Sequence, residues 1–183
     1  MKILLSITGA SGSIYGIRLL EEFIESNIEV HLIISEGAEK IITHETNYKI
    51  KELKEKADFY YDNNNLSAPP ASGSFHLDAM VIAPCSLKSL SAVANGYADT
   101  LISRSATCIL KEEKKLILVI RETPLELIGI KNMLSAKRAG ATILPAMPGF
   151  YHKPKKIEDI VNFIVGKVLD QLNIKNNLFK RWK

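Results

Sequence analysis

The stretch Ile3-Leu4-Leu5-Ser6-Ile7-Thr8-Gly9-Ala10-Ser11-Gly12 decides the fold of this 183-residue chain. Its first five residues are apolar apart from Ser6, with no alternation of apolar and polar. A strand apolar on both sides belongs to a parallel sheet covered on both faces. Glycines follow, and then Ile14, Ile17, Leu20, Phe23 and Ile24 recur at helical spacing. Strand, glycine turn and helix in that order begin a βαβ unit.

The same pattern continues outward from this stretch. Val30–Ile34, Met80–Ala83, Leu116–Ile120 and Ala141–Leu144 read as further strands, the second of these ended by Pro84. Helical spacing covers Ala38–Thr43, Leu87–Ala94, Ala98–Leu110, a region around Leu125–Ala139, and Ile157–Leu172. The expected fold is an α/β three-layer α/β/α sandwich with a Rossmann- or flavodoxin-like parallel sheet. It forms one domain over residues 1–183, with a C-terminal tail from about 173 onward that packs on the active site or a neighbouring subunit. Tyr60–Ser74, rich in Asn, Pro, Ser and Gly, is too long for an ordinary connection and reads as a functional loop or an oligomer contact. Phe150–Lys156 is a second loop, basic and aromatic.

Composition narrows the function classes. Hydrophobic residues make up 46% and charged residues 24%, which is globular rather than disordered or fibrous. Twenty-four Lys and Arg against twenty Asp and Glu leave +4, a mild balance that suits anionic ligands. The basic residues are scattered and carry no nucleic-acid motif. Cys85 and Cys108 are too few for a secreted disulfide scaffold, and no Cys/His cluster has zinc spacing. No apolar run reaches the ~20 residues of a membrane span, and the N-terminal run is too short for a signal peptide. A cytoplasmic protein with no metal, membrane or nucleic-acid partner is expected.

Ligands of parallel sheets sit beyond the carboxyl ends of the strands, so the residues there carry the function. Thr8-Gly9-Ala10-Ser11-Gly12 is either a turn whose amides approach a phosphate or a plain tight turn. It is not GxGxxG. Ser35 closes the second strand where a dinucleotide site would want an acid, although Glu36 is one residue on, so a mononucleotide such as FMN fits better. Ser86-Leu87-Lys88-Ser89 either hold a phosphate or flavin edge or simply start a helix with Ser86 as its cap. Cys85 reads as a small buried residue. Arg121-Glu122 offers a planar fork and a proton carrier, or a surface ion pair. The Pro145–Pro154 loop aims Tyr151, His152 and Lys153 at a ligand or at solvent. His44-Glu45 is an acid–base pair or a helix surface, and His31 and His76 have no ligand partner at metal spacing. A lone tryptophan, Trp182, ends the basic tail.

Together these strings resemble the flavin prenyltransferases, the UbiX-type family, over nearly the whole chain. The carriers are TGASGSIYGIRLL (8–20), APCSLKSLSAVANGYADTLISRSA (83–106), RETPLELI (121–128), GATILPAMPGFYHKP (140–154) and FKRW (179–182). The resemblance implies a metal-independent transfer of the dimethylallyl group from dimethylallyl phosphate to N5 and C6 of reduced FMN. The product, prenylated FMN, serves UbiD-type decarboxylases. Some relatives take the diphosphate donor. It also implies a homo-oligomer, commonly a dodecamer. By the same resemblance, Gly9, Ala10, Ser11, Ser35, Ser86, Leu87, Lys88, Ser89 and Arg121 contact FMN. Lys111, Arg121, Tyr151 and Lys167 grip the donor phosphate, Glu45 and Glu122 handle protons, and Trp182 closes over the site. Lys167 stands where the family commonly has arginine, which keeps the charge and loses the bidentate fork. Three rival readings stand beside this one: a flavin-dependent cysteine decarboxylase, a direct decarboxylase of phenolic acids, and a non-catalytic flavin-binding protein.

Overall fold

A computed structural model of the chain describes residues 1–182; the final tail residue, Lys183, lies outside the described residues. Six strands form one sheet: β1 (Lys2–Ile7), β2 (Glu29–Ile34), β3 (Phe59–Asp62), β4 (Ala79–Cys85), β5 (Lys115–Ile120) and β6 (Thr142–Ile143). Their order is β3-β2-β1-β4-β5-β6, and every pairing is parallel. This is the doubly wound Rossmann order, whose direction reverses between β1 and β4. Seven helices connect the strands: α1 (Ile14–Glu25), α2 (Glu36–Glu45), α3 (Ile50–Lys56), α4 (Leu87–Asn95), α5 (Leu101–Lys111), α6 (Leu127–Arg138) and α7 (Ile157–Gln171).

Side chains alternate across a strand, and here both alternate sets are apolar. Ile3, Leu5 and Ile7 of β1 join Val30, Leu32 and Ile34 of β2 and Val81 of β4 under α1, α2, α3 and α7. Leu4, Ile33, Met80, Ile82, Leu116 and Leu118 face the other way, under α4, α5 and α6. Phe23 of α1 is fully buried in the first of these layers, and burial of that kind stabilises by about 3 kcal/mol.

Three features depart from the sequence reading. The segment read as a loop from Tyr60 begins inside β3, a four-residue edge strand whose aromatic residues Phe59, Tyr60 and Tyr61 are half-exposed or exposed rather than buried. The short helix α3 precedes it, with only Leu53 buried. Pro84 does not end its strand: β4 continues to Cys85 through an irregular register opposite β5. The peptide bond before Pro84 is cis. The fifth helix begins at Leu101 rather than Ala98, because Thr100 caps it by accepting from Ser103 N at 3.3 Å.

His31 is a satisfied core residue. It is 1% exposed, with Nδ1 2.9 Å from the Tyr61 hydroxyl and Nε2 2.9 Å from Glu29 Oε1. Among the described residues no helix is long and apolar enough to cross a membrane.

Gly16 marks the tightest contact between α1 and the sheet. A Cβ there would lie 2.2 Å from Ala83 O and 2.8 Å from Ile7 Cγ1. A backbone carbonyl cannot rotate aside as a flexible side chain does. Gly16→Ala is expected to cost about 3 kcal/mol and to lower the Tm by roughly 6–12 °C, measured by thermal denaturation followed by circular dichroism. An unchanged Tm would mean that α1 is free to lift from β4.

Candidate functional site

The carboxyl ends of β1, β2, β3 and β4 open into one cleft of about 700 Å³. That lies within the roughly 300–1,000 Å³ of small-molecule and cofactor sites. Its wall on the β1 and β2 side is Thr8, Gly9, Ser35 and Gly37. Across it stand Ser86, Leu87, Lys88 and Ser89 at the start of α4, with Glu122 beyond β5.

Local structure sets each of these groups. Ser35 caps α2, its Oγ accepting from Ala38 N at 3.2 Å. Ser86 caps α4, accepting from Ser89 N at 3.2 Å and donating to Ser89 Oγ at 3.1 Å. The cap and the ligand readings of Ser86 are therefore compatible, because one hydroxyl orients the next. Gly9 packs against Gly37, where an added Cβ would sit 3.3 Å from the Gly37 backbone. That contact brings the first turn and the start of α2 together.

Glu45 does something that spacing alone does not show. From the far end of α2 its Oε2 accepts from Gly12 N at 2.9 Å, Ser13 N at 3.2 Å and Ser13 Oγ at 3.2 Å. It therefore caps the N-terminus of α1, where Gly12 takes a positive φ of 88°. Partial burial pushes its pKa up, but hydrogen bonds from the Ser11 hydroxyl and from Gly12 and Ser13 outweigh this. The net position is below the ordinary carboxylate value. Glu45 is held ionised.

Arg121 lies beside this turn, its Cγ 3.9 Å from where a Cβ on Gly12 would be. Its Nε is buried and has no hydrogen-bond partner among the described residues. A buried guanidinium nitrogen left unpaired is costly and points to an acceptor supplied by a ligand. Glu122, next along, accepts from Thr123 N at 3.1 Å. Cys85 is fully buried, and burial pushes its thiol pKa up, so it is an inert core residue.

The remaining expected residues fall elsewhere. Lys111 ends α5, on which Ile102 and Ser103 line the cleft, so it stands roughly 12 Å along the helix from the cleft wall. It lies 3.6 Å from Glu112 and against Gly73. Tyr151, in the loop before α7, Lys167, on α7, and Trp182, in the tail after it, fall outside the cleft lining. Tyr151 packs edge-on to Phe163 at 5.8 Å and to Trp182 at 5.4 Å. Lys167 lies on the same helix one turn beyond Phe163 and is exposed. Ala10 and Ser11 belong to the first turn without lining the cleft.

The cleft also has walls that the sequence does not single out. Tyr60 and Asp62 lie in β3, Asn63 and Asn64 follow it, and Lys54 comes from α3. Asn63 Oδ1 accepts from Ile102 N at 3.1 Å and its carbonyl from Leu101 N at 2.7 Å, so this loop seats α5. The cluster of asparagines is the signal that could have marked it, since Asn hydrogen-bonds backbone locally.

Comparison with known proteins fits this geometry. The family profile described as Flavoprotein matches residues 1–169. A flavin prenyltransferase UbiX of Methanocaldococcus jannaschii is 52% identical over 182 residues, covering 100% of this chain and 98% of the relative. The crystal structure of AnUbiX (PadA1) in complex with FMN and dimethylallyl pyrophosphate superposes with a TM-score of 0.98 at 43% identity, covering 100% of this chain and 97% of that one. A dodecameric FMN-dependent UbiX-like decarboxylase from Escherichia coli O157:H7 gives a TM-score of 0.98 at 41% identity, with both chains fully covered. The peptidyl-cysteine decarboxylase EpiD shares only the fold, at 19% identity, a TM-score of 0.62 and 81% of each chain.

The Glu45 cap is testable apart from any ligand. Glu45→Ala is expected to cost about 1 kcal/mol of unfolding free energy at neutral pH, the usual worth of a helix cap at a solvent-screened position. Because the folded pKa is depressed, the contribution is full above the unfolded value of 4.5 and is lost as pH falls through the lower folded value. Urea titrations at pH 7 and below pH 4 measure this. A gap between wild type and variant that persists at the acid end would contradict it.

Proposed function

The chain belongs to the UbiX-type flavin prenyltransferases of the Flavoprotein family, and we propose that its transfer reaction runs in the cleft at the ends of β1, β2, β4 and β5. The observation that carries this assignment is the unpaired, buried Arg121 Nε beside the first turn. A polar acceptor on FMN fits it, and the aligned hydroxyls of Ser86 and Ser89 and the Gly9 turn fit the remaining polar edge of the same molecule. Bound reduced FMN would supply N5, joined to the dimethylallyl carbon as its C–O bond breaks and phosphate leaves, and C6, which closes the ring as the prenyl double bond takes up a proton and C6 gives one up.

The chain's own residues do the rest. A departing phosphate is stabilised by cations and hydroxyls aimed at it. Lys111, Lys167, Arg121 and the Tyr151 hydroxyl are the set for that task, and Trp182 covers them. Glu122 stands at the cleft wall, where it accepts and returns a proton. Glu45 stays ionised and holds the turn in shape. Gly9, Ala10 and Ser11 let the backbone approach the flavin, while Ser35, Leu87 and Lys88 complete its walls.

One protomer does not bring these groups together. Lys111 ends a helix roughly 12 Å along from the cleft wall, Lys167 stands on α7, and Tyr151 and Trp182 lie in the loop before and the tail after that helix. The account therefore requires neighbouring copies to complete each site, as in a dodecamer like that of the E. coli relative. Exposed apolar residues supply surface for such contacts: Leu127, Ile128, Ile130 and Leu134 of α6, and Tyr97, Met147 and Phe150. Patches of this kind on a folded surface mark association sites. The prenylated FMN product passes to a UbiD-type decarboxylase in the cytoplasm.

Purified protein, reduced FMN and dimethylallyl phosphate mixed without oxygen are expected to yield a flavin heavier by one C5H8 unit, read by mass spectrometry after release. The diphosphate donor is run in parallel. Unmodified FMN with both donors would overturn the prenyl transfer. Release of CO2 from a phenolic acid by the pure protein would favour direct decarboxylation instead.

A further inference from the structure

One ion pair fixes the C-terminal segment to α7 and takes no part in the cleft. Arg181 Nη1 and Nη2 donate to Asp170 Oδ2 and Oδ1 at 2.5 and 2.7 Å. Asn176 Nδ2 donates to the same Oδ1 at 3.0 Å and to Gly166 O at 3.4 Å. Phe179 lies against Gly166 and is 8% exposed; a Cβ at Gly166 would come within 2.7 Å of its ring. The Arg181 guanidinium is 4.8 Å from the centre of that ring. The next residue, Trp182, thereby arrives edge-on to Tyr151 at an interplanar angle of 85°.

Lys167 stands three residues before Asp170, and residues so spaced share a helix face. The positive charge of Lys167 is felt at Asp170. Yet no ion pair between them is formed within 4.0 Å among the described residues, because the Arg181 fork takes both carboxylate oxygens. Without that fork, Lys167 is the cation on the same face for Asp170 to pair with. A lysine paired to a carboxylate has lost most of its pull on a phosphate.

We propose that the Asp170–Arg181 pair is a positioning device for the donor-phosphate end of the site: it seats Trp182 on Tyr151 and keeps Asp170 from neutralising Lys167. The inference rests on the assignment of Lys167, Tyr151 and Trp182 to the donor. Neither Asp170 nor Arg181 touches the reacting atoms in this account. Both act through Lys167 and Trp182. Lysine at 181 lacks the planar fork and cannot hold both oxygens at once.

Trp182 is the sole tryptophan of the chain, so its emission reports on the tail alone. The FMN-loaded wild type is compared with Arg181→Ala, Arg181→Lys, Asp170→Asn, the Asp170→Asn/Arg181→Ala double variant and Lys167→Ala. Trp182 anisotropy is read first without donor. The dimethylallyl phosphate concentration that half-saturates the Trp182 signal is read next, and needs no turnover. Arg181→Ala is expected to loosen Trp182 and to raise the half-saturating concentration about tenfold, the worth of one charged contact. Arg181→Lys is expected to do nearly the same. In the double variant Trp182 stays loose, but the half-saturating concentration returns to within about threefold of wild type, because Lys167 is free again. If the double variant binds donor as weakly as Arg181→Ala, or Asp170→Asn alone is as weak, the positioning role is overturned. If Lys167→Ala leaves donor binding unchanged, the underlying assignment fails and the proposal falls with it.

Discussion

Thr8 Oγ1 donates to Pro84 O at 2.7 Å and accepts from Ser86 N at 2.9 Å, while Thr8 N also reaches Pro84 O at 3.3 Å. The residue is 1% exposed, so these bonds are made away from water. They span the gap between β1 and β4, where the strand order reverses. The two strands pair in the sheet, and beyond their carboxyl ends the loops part and leave a crevice. Both hydroxyl functions of Thr8 are used, so the first turn and the start of α4 are held at one separation. Gly9 then meets Gly37, Ser86 aligns Ser89, and Arg121 comes up beside the turn. The cleft is shaped by a tie that no ligand needs to make.

The charges around this tie explain the division of labour. The first turn gathers amides, and Glu45 already answers those of Gly12 and Ser13. An anion at the α1 N-terminus would meet an ionised carboxylate there. Gly9, Ser86 and Ser89 in the cleft wall, and the unpaired Nε of Arg121, are the groups that the proposed FMN site uses instead. Lys54 and Lys88 line the cleft, whereas the lysines assigned to the leaving phosphate in the proposed reaction lie outside its lining, Lys111 at the end of α5 and Lys167 on α7. In that proposal the complete charge pattern is a property of the assembly.

Much of the fold was legible because the central strands are apolar on both faces. Ile3–Ile7, Val30–Ile34 and Leu116–Ile120 could hardly be anything else. β3 was hidden because it is a four-residue edge strand with no buried position, its short aromatic run Phe59-Tyr60-Tyr61 leading straight into Asp62 and the asparagines. The continuation of β4 through Pro84 was hidden because proline usually ends a ladder. At the site, Ser35 and Ser86 in the cleft wall and Arg121 beside the first turn could be placed by the rule of strand ends. Glu45 was visible as an acid, but its contact with Gly12 and Ser13 spans more than thirty residues and depends on how α2 crosses α1. Thr8 has nothing in its type or spacing to distinguish it. Lys111 and Lys167 were reached only through family likeness, since no local pattern marks them, whereas Tyr151 was also offered by the Pro145–Pro154 loop.

The central claim is that the cleft of one copy is completed by cations of another. The most direct measurement is complementation between two inactive chains, Lys111→Ala and Arg121→Met, co-expressed in equal amounts and purified as one assembly. Each variant alone should fail to prenylate FMN. In the mixture, half of the clefts retain Arg121 and half of the donated lysines are intact, so about a quarter of wild-type activity should return. Activity that stays at the level of either variant alone would contradict the account and place both residues in the site of a single chain.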